Sequence, residues 1–161
     1  MLVTQINQLM KIVRMHNIPV IWVCQEYKPD ASDIPLHDKK TGRRITIMGT
    51  KGAELLNGFN RMSADIILKK NRYNVFFKTN LDQIISEENI DTLVLAGINS
   101  HACIRMTAMD AFQRDMEVII AKDCVSSWDK DHHNITLKYL ENAVKIKVFS
   151  NSQIAEFLQH E

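Results

Sequence analysis

Hydrophobic residues along this chain switch repeatedly between two spacings, and the switching limits the possible folds more than any other feature. Val3, Ile6, Leu9, Met10 and Val13 recur at helical intervals. That is the pattern of one apolar helix face, and it predicts an opening helix that ends near His16-Asn17. The apolar run from Pro19 to Cys24 follows and reads as a strand buried on both faces. Lys28 to Arg44 is polar and contains Pro29, Pro35 and Gly42, so it reads as a long excursion. Gly49 to Phe59 suits a short helical or irregular segment.

The second half is more regular. Strands are expected at Asp65 to Leu68, Thr92 to Ile98, Glu117 to Ala121 and Lys145 to Phe149. Helices are expected at Leu81 to Glu88, from about Ala102, at His132 to Ala143 and at Ser152 to Gln159. In the helix from Ala102, one face would carry Ile104, Thr107, Ala108, Ala111 and Phe112. Strands alternating with helices imply an α/β fold of three layers, α/β/α, around a Rossmann-like parallel sheet covered on both faces. Ligands of such sheets bind beyond the carboxyl ends of the strands. Function is therefore sought just after Cys24, Leu68, Ile98 and Ala121.

A chain of 161 residues suits a single domain, 1–161, with a well-buried core. Its 20 basic and 19 acidic side chains leave a net charge of +1, which offers no electrostatic basis for nucleic acid or a membrane surface as partner. No apolar run approaches the ~18–20 residues that span a bilayer. Met1-Leu2-Val3-Thr4-Gln5 lacks the basic region of a secretory signal. Three widely spaced cysteines give neither a disulfide framework nor a zinc pattern, so a reducing, cytoplasmic setting is expected. No Gly-rich phosphate loop follows a strand, which counts against nucleotide binding.

The segment Gly97-Ile98-Asn99-Ser100-His101-Ala102-Cys103-Ile104-Arg105-Met106-Thr107-Ala108 follows an apolar strand and opens a helix. Cys103 would then lie in a first helical turn, where free N–H groups and the helix dipole favour a thiolate. The same N–H groups could hold an oxyanion formed when sulfur attacks a carbonyl. A small buried thiol is the ordinary alternative, and position alone leaves both open. Taken singly, Lys70 reads as a solvated strand-end lysine.

Four stretches together carry a resemblance. Besides the Cys103 segment they are Gly49-Thr50-Lys51-Gly52-Ala53-Glu54-Leu55, then Ile67 to Phe76 (Ile-Leu-Lys-Lys-Asn-Arg-Tyr-Asn-Val-Phe), then Ala121 to Ser127 preceded by Asp110-Ala111-Phe112. In order and spacing the chain resembles the isochorismatase-like cysteine hydrolases from about residue 3 onward. The resemblance implies the isochorismatase-like hydrolase fold and hydrolysis of a C–N bond in a small amide or carbamoyl compound. It implies Cys103 as nucleophile, passing through a thioester, and Lys70 rather than Lys69 as the catalytic lysine, with no cofactor. It also implies a non-proline cis peptide at Ile98-Asn99, with Asn99 and Cys103 supplying the oxyanion-hole N–H groups, and a homo-dimer or homo-tetramer. Isochorismate itself is not the expected substrate, because members acting on it do not need the cysteine.

The sequence departs from the family in one respect. The family's catalytic Asp stands in an Asp-x-Gln stretch on a strand preceding the first helix, and no residue from Met1 to Asn17 is Asp. A fragment or a late start is the favoured reading. A non-catalytic relative acting as a binding or interaction module is the competitor. His101 is a possible pocket residue, although a loop histidine there is as often solvated. Tyr73, Phe76, Phe77 and Trp128 are possible pocket aromatics, although core packing is the commoner fate of each. The residues after the second family strand, Gln25 to Asp30, lack the Asp-x-His of metal-binding members, and His37 stands alone, so no metal is expected. His132-His133 is expected on the surface near a helix start. Lys39-Lys40 and Arg43-Arg44 are expected to be solvated, and Cys24 and Cys124 to be inert.

Overall fold

The residues that set the opening helical spacing are the ones that end up buried. Helix α1 (Leu2–Met15) turns Ile6, Leu9, Met10 and Val13 inward. A computed structural model describes residues 1–160; Glu161, the last residue of the expected domain, lies outside the described residues. After α1 come strand β1 (Ile21–Gln25), helix α2 (Leu36–Thr41), a 3-10 turn (Lys51–Ala53) and strand β2 (Ile66–Lys70). Helix α3 (Leu81–Glu87), strand β3 (Thr92–Ile98), a π-helical turn (Ser100–Ile104) and helix α4 (Arg105–Gln113) follow. Strand β4 (Glu117–Ser126), helix α5 (Lys130–Asn142), strand β5 (Lys147–Phe149) and helix α6 (Asn151–Phe157) complete the order. Every named strand pair is parallel, as the strand–helix alternation requires. Among the described residues no helix is long and apolar enough to cross a membrane.

The strands form two hydrogen-bonded groups, β1–β2 and β3–β4–β5. The groups nonetheless share both cores. On one face Ile21, Ile66 and Leu68 pack with Leu93, Leu95, Val118 and Ile120 beneath α4 and α5. On the other, Val20 and Trp22 pack with Val94, Ala96, Ile119 and Ala121 beneath α1 and α6. The architecture is thus one α/β/α sandwich whose parallel sheet is divided between β1 and β3.

The division corrects one sequence expectation. β1 is not buried on both faces: Trp22 is buried, but Val23 is 40% exposed, because β1 has a hydrogen-bonded neighbour on one edge only. Four smaller corrections follow. The excursion contains α2, which ends on Gly42 in the left-handed region at φ 70°. β2 runs past Leu68 to include Lys70. β4 continues past Ala121, because Val125 and Ser126 still pair with Gly97 and Ile98 beyond a shift in register. Gly97, at φ +119°, accommodates that shift in a conformation that side chains disfavour. Ile104, at the end of the π-helical turn, and Thr107, Ala108 and Ala111 on α4 are buried as expected, but Phe112, in the last turn, is 47% exposed.

Candidate active site

Two strand ends meet at the carboxyl edge of the sheet. β2 ends on Lys70, whose side chain turns inward because alternate residues of a strand face opposite sides and Lys69 takes the outward position. Lys69 is paired there with Glu26 at 2.7 Å. Lys70 is only 7% exposed. Its Nζ donates to the carbonyl of Arg72 at 2.8 Å and lies 3.5 Å from Oε1 of Gln25 and 3.3 Å from Sγ of Cys103. Gln25 in turn donates through Nε2 to the hydroxyl of the buried Tyr27. An ammonium taken out of water needs compensation. Here the Arg72 carbonyl, the Gln25 amide oxygen and the sulfur supply it.

Cys103 is half-buried on the π-helical turn after β3. The peptide bond at Ile98-Asn99 is cis, as the resemblance implied. The carbonyl of Asn99 accepts from the N–H groups of Ala102 (3.1 Å) and Ile104 (3.2 Å), and the carbonyl of Ser100 accepts from Arg105. π-helical turns are rare and are frequently found at functional sites. The sequence expectation of a plain helix start near Ala102 missed it, because nothing in the pattern of apolar residues marks an extra residue per turn.

The other expected residues divide. His101 sits at the site's rim, with Nδ1 2.6 Å from Oγ of Ser127 and its ring edge-on to Trp128, which is 76% exposed. Tyr73 is exposed. Phe76 takes the core alternative rather than the pocket one: it packs with Leu68, Leu81 and Ile84, and the guanidinium of Arg114 covers its ring. Phe77 lies under the charged ends of Arg72 and Lys78. A groove of about 560 Å³ runs along α4 past His101, Asn74, Met106 and Asp110; neither Cys103 nor Lys70 lines it.

Lys39, Lys40, Arg43 and Arg44 are solvent-exposed as expected. Burial pushes the Cys24 thiol up, and pushes the Cys124 thiol, which donates to Oδ1 of Asn151, up to about 11. Both are therefore poor thiolates at neutral pH. His133 was missed by the sequence reading as a contact of the nucleophile turn. It is half-buried, and its Nδ1 meets Oγ of Ser100 at 2.8 Å.

The chain is similar to several known proteins. The isochorismatase domain family matches residues 1–151. The chain is 27% identical over 138 residues to enterobactin synthase component B of Escherichia coli, covering 86% of this chain and 48% of that one. It therefore spans about half the length of that relative. It is 29% identical over 149 residues to a probable inactive nicotinamidase of Arabidopsis thaliana, covering 88% of this chain and 75% of that one. Among solved structures, N-carbamoylsarcosine amidase from Thermoplasma acidophilum superposes with a TM-score of 0.78 at 27% identity, over 92% of this chain and 82% of that one.

Proposed function

The chain belongs to the isochorismatase family, and from that premise we propose that it is a cysteine hydrolase, free of any cofactor, that cleaves a C–N bond of a small amide or carbamoyl substrate. One observation carries the proposal: Nζ of Lys70 lies 3.3 Å from Sγ of Cys103, at the carboxyl edge of the sheet where α/β ligands bind. The sulfur adds to the substrate carbonyl, and the N–H groups of Asn99 and Cys103 are the proposed donors to the oxyanion. The tetrahedral adduct collapses with loss of the C–N bond. The nitrogen leaves as amine after taking a proton, and a thioester remains on Cys103. Water then adds to the thioester, releasing the carboxylic (or carbamic) acid and restoring the thiol. Lys70 is the acid hydrogen-bonded to the sulfur and the group placed to manage the first proton. A homo-dimer or homo-tetramer is part of the same proposal.

A second reading, a non-catalytic relative that binds a small molecule or partner, is favoured by a specific observation. Among the described residues the hydrogen-bond partners of Lys70 are Arg72, Gln25 and Cys103, and none of them is a carboxylate. Assay against a broad amide and carbamoyl panel separates the readings, with Cys103→Ala as the blank. Mass spectrometry of protein quenched during turnover should show an acyl adduct on the peptide containing Cys103. Turnover that persists in Cys103→Ala would sink the hydrolase mechanism. Silence across the panel from a folded protein with an alkylatable Cys103 would favour the binding module.

A further inference from the structure

Lys70 is held by the Arg72 carbonyl independently of the nucleophile, so the Lys70–Cys103 distance is decided by where the π-helical turn places the sulfur. That turn has one wholly buried side-chain anchor. Ser100, at its start, is 0% exposed, and its hydroxyl meets Nδ1 of His133 at 2.8 Å. Ser100 is also the residue whose backbone carbonyl receives the N–H of Arg105, where the turn becomes α4. One residue therefore ties the turn to the following helix through its backbone and to α5 through its side chain.

The other end of this link is itself fixed. Asp129 caps α5 by accepting from the N–H of His132, and that bond holds the Asp129 carboxyl below the usual carboxylate range. Thr136 and Leu140 bury the same helix one and two turns further on. His101 is tied to Ser127 and its ring lies 5.5 Å from that of His132 on α5, but that contact carries no hydrogen bond, so Ser100–His133 is the hydrogen-bonded side-chain link from the turn to α5.

We propose that His133 is a positioning residue for the nucleophile: through Ser100 it sets the pitch of the π-helical turn and so holds Cys103 within reach of the Lys70 ammonium. The link acts on the site read above as catalytic, but it concerns the geometry of the sulfur and stands whether or not the chain turns over an amide. A buried hydroxyl that loses its partner must find another, and the nearest ones lie along the turn itself. The turn then relaxes toward ordinary helix and the sulfur moves off Lys70.

The test reads the rate of Cys103 alkylation by iodoacetamide at neutral pH, mapped by peptide mass spectrometry, with Cys24 as an internal reference. The variants are His133→Phe, His133→Asn, Ser100→Ala and the double variant Ser100→Ala/His133→Phe. His133→Phe and Ser100→Ala should each slow Cys103 by about tenfold, within the range for directly coupled neighbours. The double variant should be no slower than either single one. His133→Asn, which offers a polar atom close to the position of Nδ1, should restore most of the rate. A general loss of packing would not be rescued by Asn and would speed the labelling of Cys24. The proposal is overturned if folded His133→Phe reacts at the parent rate, if the two losses add, or if Asn fails to rescue. Should His133→Phe fail to fold, Ser100→Ala decides: an unchanged rate there overturns the proposal, and a tenfold loss supports it.

Discussion

β4 and β1 are both apolar parallel strands, yet the molecule holds them very differently. Along β4, Val118, Ile119, Ile120 and Ala121 are buried, with β3 and β5 on its edges and helices over both faces. Along β1 only Trp22 is buried, and β2 is its single neighbour. Hydrophobic sequence made both into strands; neighbours decided how much water each one lost. The difference bears on function, because Cys103 follows β3, on the consolidated side, whereas Lys70 ends β2, on the other. The site exists only because the two groups share their cores above and below the sheet.

The largest effect that could break or sharpen this comparison is in turnover. Within the proposed hydrolase reading, the family's Asp belongs to a strand upstream of α1. General acid–base help is worth ~10²–10⁴ in rate, and the members of such a site act as a unit. The 161-residue chain should therefore be weakly active. Extending it upstream by an Asp-x-Gln strand should raise hydrolysis of a small amide by that factor, measured against Cys103→Ala. Equal turnover with and without the extension would mean that the acid–base group already lies within this chain.

Stability should separate the two sides next. Ile119→Ala, at 0% exposure in β4, should cost about 2–5 kcal/mol in urea unfolding. Val23→Ala in β1 should fall within about 0.5 kcal/mol of the parent, as at exposed positions generally. Similar losses at both sites would show that β1 is as consolidated as β4.

Asp65 offers a sharper probe of how α1 is fastened to the β1–β2 side. Burial pushes its carboxyl up, but the N–H of Met62, the Trp22 indole and Arg14 together outweigh that and hold it below the usual carboxylate range. A folded-state value below the unfolded one gives stability that is present above the ordinary carboxylate value of ~3.9 and is lost as pH falls through the folded value. Asp65→Asn should cost about 3 kcal/mol at pH 7, as breaking a buried pair does. It should also remove part of the acid-limb decline in an unfolding series from pH 7 to pH 2. An unchanged acid limb would mean that Asp65 does not carry it.

The smallest expected contrast is among the thiols. Iodoacetamide at neutral pH should reach Cys103 before Cys24 in β1 and Cys124 in β4. With its thiol pushed up to about 11, Cys124 should react about 100-fold more slowly than an ordinary thiol, two pH units being that factor in thiolate. Equal labelling of all three in the native state would remove the case for a special sulfur.

Much of the fold was legible because period and burial go together. Ile6, Leu9, Met10 and Val13 announced α1, and Ile104, Thr107, Ala108 and Ala111 announced the buried stripe at the nucleophile helix. The polar pair Lys122-Asp123 hid the second half of β4: it lies at the shift in register, and pairing with β3 resumes only at Val125 and Ser126. Phe76 was open between pocket and core, with core the commoner fate, and it is core while Phe77 is exposed, since sequence cannot say which of two adjacent phenylalanines faces inward.

The sequence by itself determined the alternation of strands and helices, and hence a parallel α/β sheet with its site at the carboxyl edge. It also placed Cys103 after a strand and Lys70 at the end of another. Those are local matters of periodicity and chain order. Only the tertiary structure decided that the two side chains meet at 3.3 Å, that the Gln25 amide accepts from Lys70, and that His133 in α5 meets Ser100 on the turn carrying the sulfur. Residues 33 positions apart, as are both Lys70 and Cys103 and Ser100 and His133, become neighbours only when strand–helix units stack into one sheet, and no spacing along the chain records that distance.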